Sequence, residues 1–183
     1  MQVTLGTEGL VQFDARQGVV RSPAMRGTLP GSSGREAHLG FQLLGPSETQ
    51  VPSASGQILC QVGTKLCARD SCNTLYIMVR GLLTNPQQEL VILLKRNITM
   101  TTDAECGNSG YSTVARGIFV SAQLYEHHVL STWLTDESTL SVAFDNATRW
   151  SGAVTALDFE GPAGMRSDNV ALSYSFCGDR LIT

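Results

Sequence analysis

In Val170-Ala171-Leu172-Ser173-Tyr174-Ser175-Phe176 every second side chain is large and apolar. An extended strand points successive side chains to opposite faces, so Val170, Leu172, Tyr174 and Phe176 share one face and Ala171, Ser173 and Ser175 the other. The same period recurs along the chain. Leu140, Val142 and Phe144 alternate with Ser141 and Ala143, and Leu75, Ile77 and Val79 alternate with Tyr76, Met78 and Arg80. Val114, Ile118, Val120, Ala122 and Leu124 share a face that Arg116 interrupts. Strands with one apolar and one polar face belong to antiparallel sheets with one side on a core and one toward water.

Turn signals separate these runs. Thr84-Asn85-Pro86-Gln87 reads as a hairpin loop, Thr135-Asp136-Glu137-Ser138 as a second, and Gly161 to Asp168 as a longer loop before the last strand. Arg21–Ala37 and Gly45–Gly56, rich in Pro, Gly and Ser, read as the longest irregular stretches. The segment Ala122 to Leu134 fits both a helical stripe and two strands meeting near Glu126-His127, and the strand reading is preferred. Charged residues are only 16% of the chain, which suits strands and polar turns better than Glu/Lys-laced helices. The expectation is an all-β fold, an antiparallel β-sandwich or jelly-roll-like barrel of about ten strands with little helix. Residues 1–183 are expected to form a single β domain. Met1 reads as a start added to a domain excised from a longer polypeptide.

The net charge is -3 and no basic cluster is expected, so no nucleic-acid partner is expected. The longest apolar run, Leu90 to Leu94, is too short to span a bilayer, and Met1 to Gly6 does not read as a signal peptide. No phosphate loop or dinucleotide fingerprint follows any strand, and no cofactor is expected.

Three of the five cysteines fall in Ile58 to Asn73, spaced C-x6-C-x4-C. Cys60 reads as a small core residue. Neither this spacing nor His38, His127 and His128 offers a metal-ligand pattern, so no metal is expected. His127 and His128 would face opposite sides of a strand. Cys67 and Cys72 are disulfide candidates, with five reduced thiols the competing reading. Asn97-Ile98-Thr99 and Asn146-Ala147-Thr148 make Asn97 and Asn146 glycosylation candidates if the chain is secreted.

Glu105-Cys106-Gly107-Asn108-Ser109-Gly110 resembles the Gly-x-Ser-Gly nucleophile loop of chymotrypsin-like serine proteases, which are also all-β. The resemblance implies Ser109 as nucleophile, His38 as its base, Asp70 as the group orienting the imidazole, and the amides of Gly107 and Ser109 as oxyanion hole. The competing reading of Gly107 to Gly110 is an ordinary turn. Asp158 and Glu160, on one face near a strand end, fit a calcium site or a glycosidase pair as well as solvated edge charges. Trp133, Trp150, Tyr111 and Tyr125 are candidates for a sugar-stacking platform, with burial in the core as the alternative.

An all-β body with long Pro/Gly/Ser loops and no cofactor motif fits a surface-exposed binding or structural domain better than an enzyme. The leading expectation is the protruding, receptor-attachment domain of a viral capsid protein, on the virion surface or otherwise extracellular. The first alternative is a bacterial or phage adhesin-type carbohydrate-binding module, and the second is the serine protease. The expected partner is a host-surface receptor or glycan, with self-association as dimer or trimer and no membrane insertion. Loops carry recognition in such domains. The candidate binding residues are therefore Arg26, Arg35, Arg69, Asp70, Asn108, Tyr111, Asp136 and Trp150, all placed in or beside expected loops.

Overall fold

Eleven residues from Glu36 to Pro46 form the longest strand, and Leu39, Phe41 and Leu43 on it turn the same way into the core. This computed structural model describes the backbone of residues 2–5 and 10–12, and residues 17–53, 56–85 and 87–179 in full. Met1 and Pro86 lie outside the described residues.

The chain runs through β1 (Gln2–Leu5), β2 (Leu10–Gln12), β3 (Gln17–Val20), β4 (Ala24–Thr28), β5 (Glu36–Pro46), β6 (Gln61–Leu66), β7 (Thr74–Arg80) and β8 (Gln88–Lys95). After the short helix α1 (Asp103–Cys106) come β9 (Tyr111–Val120), β10 (His127–Leu134), β11 (Thr139–Phe144), β12 (Ala147–Ala153), β13 (Gly164–Asp168) and β14 (Val170–Gly178). An eight-stranded sheet has the order β2-β1-β4-β13-β6-β7-β8-β9, and a six-stranded sheet the order β12-β11-β10-β5-β14-β3. All strand pairs are antiparallel. The fold is thus a β-sandwich of two open sheets, as expected, without closure into a barrel.

The alternation read from the sequence fills the space between the sheets. Leu75, Ile77 and Val79 of β7, Leu140, Val142 and Phe144 of β11, and Leu172, Tyr174 and Phe176 of β14 all enter the core. One polar bond crosses it: Thr64 Oγ1 on β6 and Thr132 Oγ1 on β10 lie 3.2 Å apart, both fully buried. Each hydroxyl gains a partner there, which offsets the cost of leaving water.

Three segments depart from the sequence reading. Ala24–Thr28 is a strand within the stretch read as irregular. Gly164–Asp168 is also a strand, where a loop was expected. Its glycine permits close packing, since a Cβ at Gly164 would stand 2.1 Å from the Gly27 carbonyl oxygen. On β9 the register slips, placing Ala115 opposite Ile92 and Ile118 opposite Leu90. The bulge around Arg116 and Gly117, the latter with φ 76°, shifts the inward face by one residue. His127–Leu134 is a strand, in line with the preferred reading of that segment.

Candidate functional site

Antiparallel register sets which side chains share the outer face of the eight-stranded sheet, because directly opposed residues point the same way. One outward row runs Thr28, Gly164, Lys65, Tyr76 and Leu93. The next runs Arg26, Arg166, Gly63, Met78 and Val91. The third runs Ala24, Asp168, Gln61, Arg80 and Glu89. Tyr76 and Met78 are 5% and 1% exposed although they face away from the core, so this face is covered rather than flat.

Two loops do the covering, and a groove of about 430 Å³ opens between them with Arg26, Gln61, Tyr76, Arg80, Tyr111 and Arg166 in its lining. Val51, Pro52 and Leu59 form one wall. Asn169, between β13 and β14, clamps that wall: its side-chain oxygen accepts from Val51 N at 2.8 Å and its amide donates to Val51 O and Leu59 O at 3.0 and 3.1 Å. Asn169 itself has φ 56°, a left-handed conformation that Asn tolerates, where the chain crosses from one sheet to the other. Asn108 and Tyr111 belong to the other side. The loop before them is pinned by a Cys72–Cys106 disulfide, by Asn97 N donating to Asn73 Oδ1 at 2.9 Å, and by Lys95 Nζ donating to Gly107 O at 2.7 Å. A second, more open depression of about 550 Å³, lined by Leu43, Leu83, Thr84, Gln123 and Leu124 among others, has no charged residue in its lining.

The groove floor is a charge network centred on Asp168. Its Oδ1 accepts from Arg26 Nη2 at 2.5 Å, and its Oδ2 accepts from Arg166 Nε at 2.8 Å and Gln61 Nε2 at 2.6 Å. Burial works against the carboxylate, yet the Arg166 and Arg26 guanidinia outweigh it and hold the Asp168 carboxyl below its usual 3.8. Arg166 also lies over the Tyr76 ring at 5.2 Å and donates to the Tyr111 hydroxyl at 3.4 Å. Tyr76 and Tyr111 have ring centroids 6.1 Å apart. Arg80 Nε donates to Gln61 Oε1 at 2.9 Å. Lys65, on the same face but outside the groove lining, is 7% exposed. Burial, with Arg26 and Arg166 close by, pushes its ammonium down to about 7.

Of the residues singled out in the sequence, Arg26, Asn108 and Tyr111 meet here. The others lie elsewhere. Arg35 faces Asp136 at 3.6 Å and donates to Thr135 O. Arg69 pairs with Asp70 at 3.1 Å and sits over Phe159. Trp150 lies on β12 and packs partly against the core, while Trp133 and Tyr125 are exposed at 37% and 68%. The aromatic pair in the groove is Tyr76 with Tyr111, not the tryptophan platform. Arg80, Arg166, Asp168 and Gln61 were missed. Arg80 was visible only as a polar position alternating with core residues, and Arg166 and Asp168 were hidden in a presumed loop. The expectation of no basic cluster is corrected, because sheet pairing assembles Arg26, Arg80, Arg166 and Lys65 on one face.

The protease arrangement is not formed. His38 Nδ1 lies 2.9 Å from Ser131 Oγ and its Nε2 2.6 Å from Glu36 Oε1. Asp70 accepts from Asn73 and Cys72, and Ser109 Oγ donates to Cys106 O at 2.6 Å. The Ser131–His38–Glu36 string lies on β10 and β5, both interior strands of the six-stranded sheet. Their amides are consumed by the ladders, leaving no pair to form an oxyanion hole there.

The disulfide also differs from expectation. Cys72 pairs with Cys106, at a Cα–Cα distance of 5.9 Å, while Cys67 is a free thiol buried in the core cluster. Cys60 is buried and Cys177 exposed. Asp158 pairs with Arg96 at 2.5 Å, and Glu160 is exposed with no ion pair among the described residues. His128 is buried against Asp145 while His127 is exposed. Among the described residues, no group of three or more His, Cys, Asp or Glu side chains converges as a metal site would. No described helix is long and apolar enough to cross a membrane.

No protein-family profile matches the chain, and no curated protein matches it either. Solved structures do. The carbohydrate-binding module CBM66 from Bacillus subtilis aligns over 97% of this chain and 88% of its own, with a TM-score of 0.56 and 10% identity. CG-16, a homodimeric agglutinin from chicken liver, aligns over 84% of this chain and 99% of its own, at 0.52 and 10%. Congerin II, solved with lactose and MES, aligns over 88% of this chain and 99% of its own, at 0.51 and 12%. At such identities the likeness establishes the architecture: a two-sheet sandwich of the kind these sugar-binding modules and lectins adopt.

Proposed function

We propose that this chain is a carbohydrate-binding module whose sugar lies in the groove on the eight-stranded sheet. The observation that carries this reading is the groove itself, where two tyrosines and a hydrogen-bonded set of Arg, Asp and Gln side chains converge between two anchored loops. A tyrosine ring offers an apolar face to sugar C–H groups, and a few placed polar groups orient the hydroxyls. The aligned structures support the same reading, since one is a carbohydrate-binding module and another was solved with lactose. They favour it over the viral protruding domain, for which no feature of this fold speaks separately.

The disulfide suits an oxidising compartment, in keeping with an extracellular module that meets a surface glycan. Self-association belongs to the same reading, one aligned lectin being homodimeric, and light scattering at several concentrations tests it. Calorimetric titration across a panel of neutral and acidic oligosaccharides tests the function. Binding that Tyr111→Ala weakens about tenfold is the expected result. A panel without a single binder sinks it.

A further inference from the structure

Within that carbohydrate reading, we infer that the groove selects a saccharide carrying a negative charge, a carboxylate or a sulfate ester. The lining holds Arg26, Arg80 and Arg166 against one carboxylate, Asp168. Three of the roughly four acceptor sites of that carboxylate are taken, by Arg26 on one oxygen and by Arg166 and Gln61 on the other. Gln61 Oε1 is taken as well, by Arg80 Nε. Each hydroxyl of a neutral sugar has one hydrogen bond to donate, so a site built for such a sugar offers free acceptors as well as donors. Here every carboxylate and amide oxygen of Asp168 and Gln61 already accepts at least one hydrogen bond, and donors outnumber the acceptor sites left.

The surplus has a defined place. Arg80 makes no close ion pair among the described residues, since Glu89 opposite it on β8 pairs with Arg116 at 3.5 Å and the Arg80 Nε is given to Gln61. Lys65 stands on the same face beside Tyr76, nearly buried, with neither an ion pair nor a hydrogen bond among the described residues. Positive charge on Arg80 is opposed by Arg166, and on Lys65 by Arg26 and Arg166, and an anion entering the groove among these arginines relieves that repulsion. Arginine meets a carboxylate or sulfate through paired N–H groups, with a geometry an isolated hydroxyl does not match. A nucleic-acid phosphate is the rival source of negative charge. The paired tyrosines and a groove of about 430 Å³ fit a short saccharide better than a strand tracked over many phosphates.

The test is titration of the intact protein with galactotriose, trigalacturonate, a sulfated galactotriose and a short single-stranded oligonucleotide at moderate salt. The expected result is trigalacturonate or the sulfated sugar binding at least about tenfold tighter than galactotriose, with the preference shrinking as salt rises. Arg80→Gln should collapse the ratio of acidic to neutral affinity while the melting temperature holds. Lys65→Met, which removes an unpartnered cation and so spares the fold, should lower the same ratio. Which acidic sugar wins distinguishes carboxylate from sulfate. Equal or tighter binding of galactotriose, lost in Tyr111→Ala, overturns the charge inference and leaves the carbohydrate reading standing. Binding of the oligonucleotide above both acidic sugars overturns the inference, and silence from every sugar overturns both.

Discussion

Arg166 and Asp168, two residues apart on the outer side of β13, are locked together, Nε donating to Oδ2 at 2.8 Å, while Arg26 from the neighbouring strand takes the other oxygen at 2.5 Å. Among the described residues of the groove lining the carboxylate is the only anion, and it is what allows two guanidinia to lie side by side.

Asp168→Asn should therefore cost stability. Removing one partner of a largely buried ion pair leaves the other charges uncompensated, at about 3–5 kcal/mol. Urea unfolding at neutral pH measures it. The pH dependence follows from the sign of the shift. The folded carboxyl titrates below its usual 3.8, so on acidification the unfolded chain takes up the proton first. The stabilisation is complete above that value and is lost as pH falls through it towards the folded pKa. In Asp168→Asn this part of the acid-induced loss should be absent.

Lys65 gives the opposite case. Its folded value of about 7 lies below the usual 10.5, so between these limits the unfolded chain holds a proton that the folded chain has released. Stability from this group rises with pH across that window and is at its lowest below it. The groups facing it are Arg26 on β4, Arg166 on β13, with Asp168 beyond, and Tyr76 on β7. Lys65→Met should raise the melting temperature by roughly 5 °C at pH 6, and by less at pH 10, as a gain of one to two kcal/mol would in a domain of this length. A melting series across pH in both proteins checks it.

Reduction of Cys72–Cys106 should loosen the loop that carries Asn108. The bridge spans a sequence separation of 34, worth roughly 3–4 kcal/mol on a chain-entropy account. Calorimetry of Cys106→Ser should show a lower melting temperature, and ligand affinity in the groove should fall with it. Asn97, Asn73 and Lys95 still hold parts of the loop, so the sandwich itself should persist.

The two sequons should behave differently in a secreting host. Asn97 is half-buried, its Nδ2 donating to Ser109 O at 2.9 Å and its Oδ1 accepting from Ser109 Oγ. A glycan there would displace the loop it stitches. Asn146 is exposed in the β11–β12 turn. Peptide mass mapping should find the glycan of folded, secreted protein on Asn146, and Asn146→Gln should abolish it.

A serine-directed fluorophosphonate should label neither Ser109 nor Ser131. Ser109 Oγ bonds Cys106 O and makes no hydrogen bond to an imidazole among the described residues, and Ser131 has His38 but no oxyanion hole on a laddered strand. Intact-mass measurement after incubation checks this.

Much of the fold was readable because alternation is a local property. Leu75, Ile77 and Val79, or Leu172, Tyr174 and Phe176, announce an inward face within seven residues, and all six are in the core. Where a local irregularity intervenes the reading slipped: the β9 bulge at Arg116 and Gly117 moved the inward position from Arg116's parity to Ala115. Short strands without bulky apolar residues were lost too, as at Gly164–Asp168, where small and charged residues suit a loop equally well until Thr28 and Lys65 flank them.

The sequence by itself determined that the chain alternates, that its strands have two unlike faces, and therefore that it builds an antiparallel sandwich. Tertiary structure alone decided the site. Arg26, Arg80 and Arg166 are far apart in the chain and become neighbours only because β4, β13, β6 and β7 lie next to one another in one sheet. Cys72 finds Cys106 rather than Cys67 because Cys67 is packed into the core while the loop carrying Cys106 folds back over the β6–β7 connection. Periodicity within a strand reports which way a side chain points, and register between strands decides what it meets.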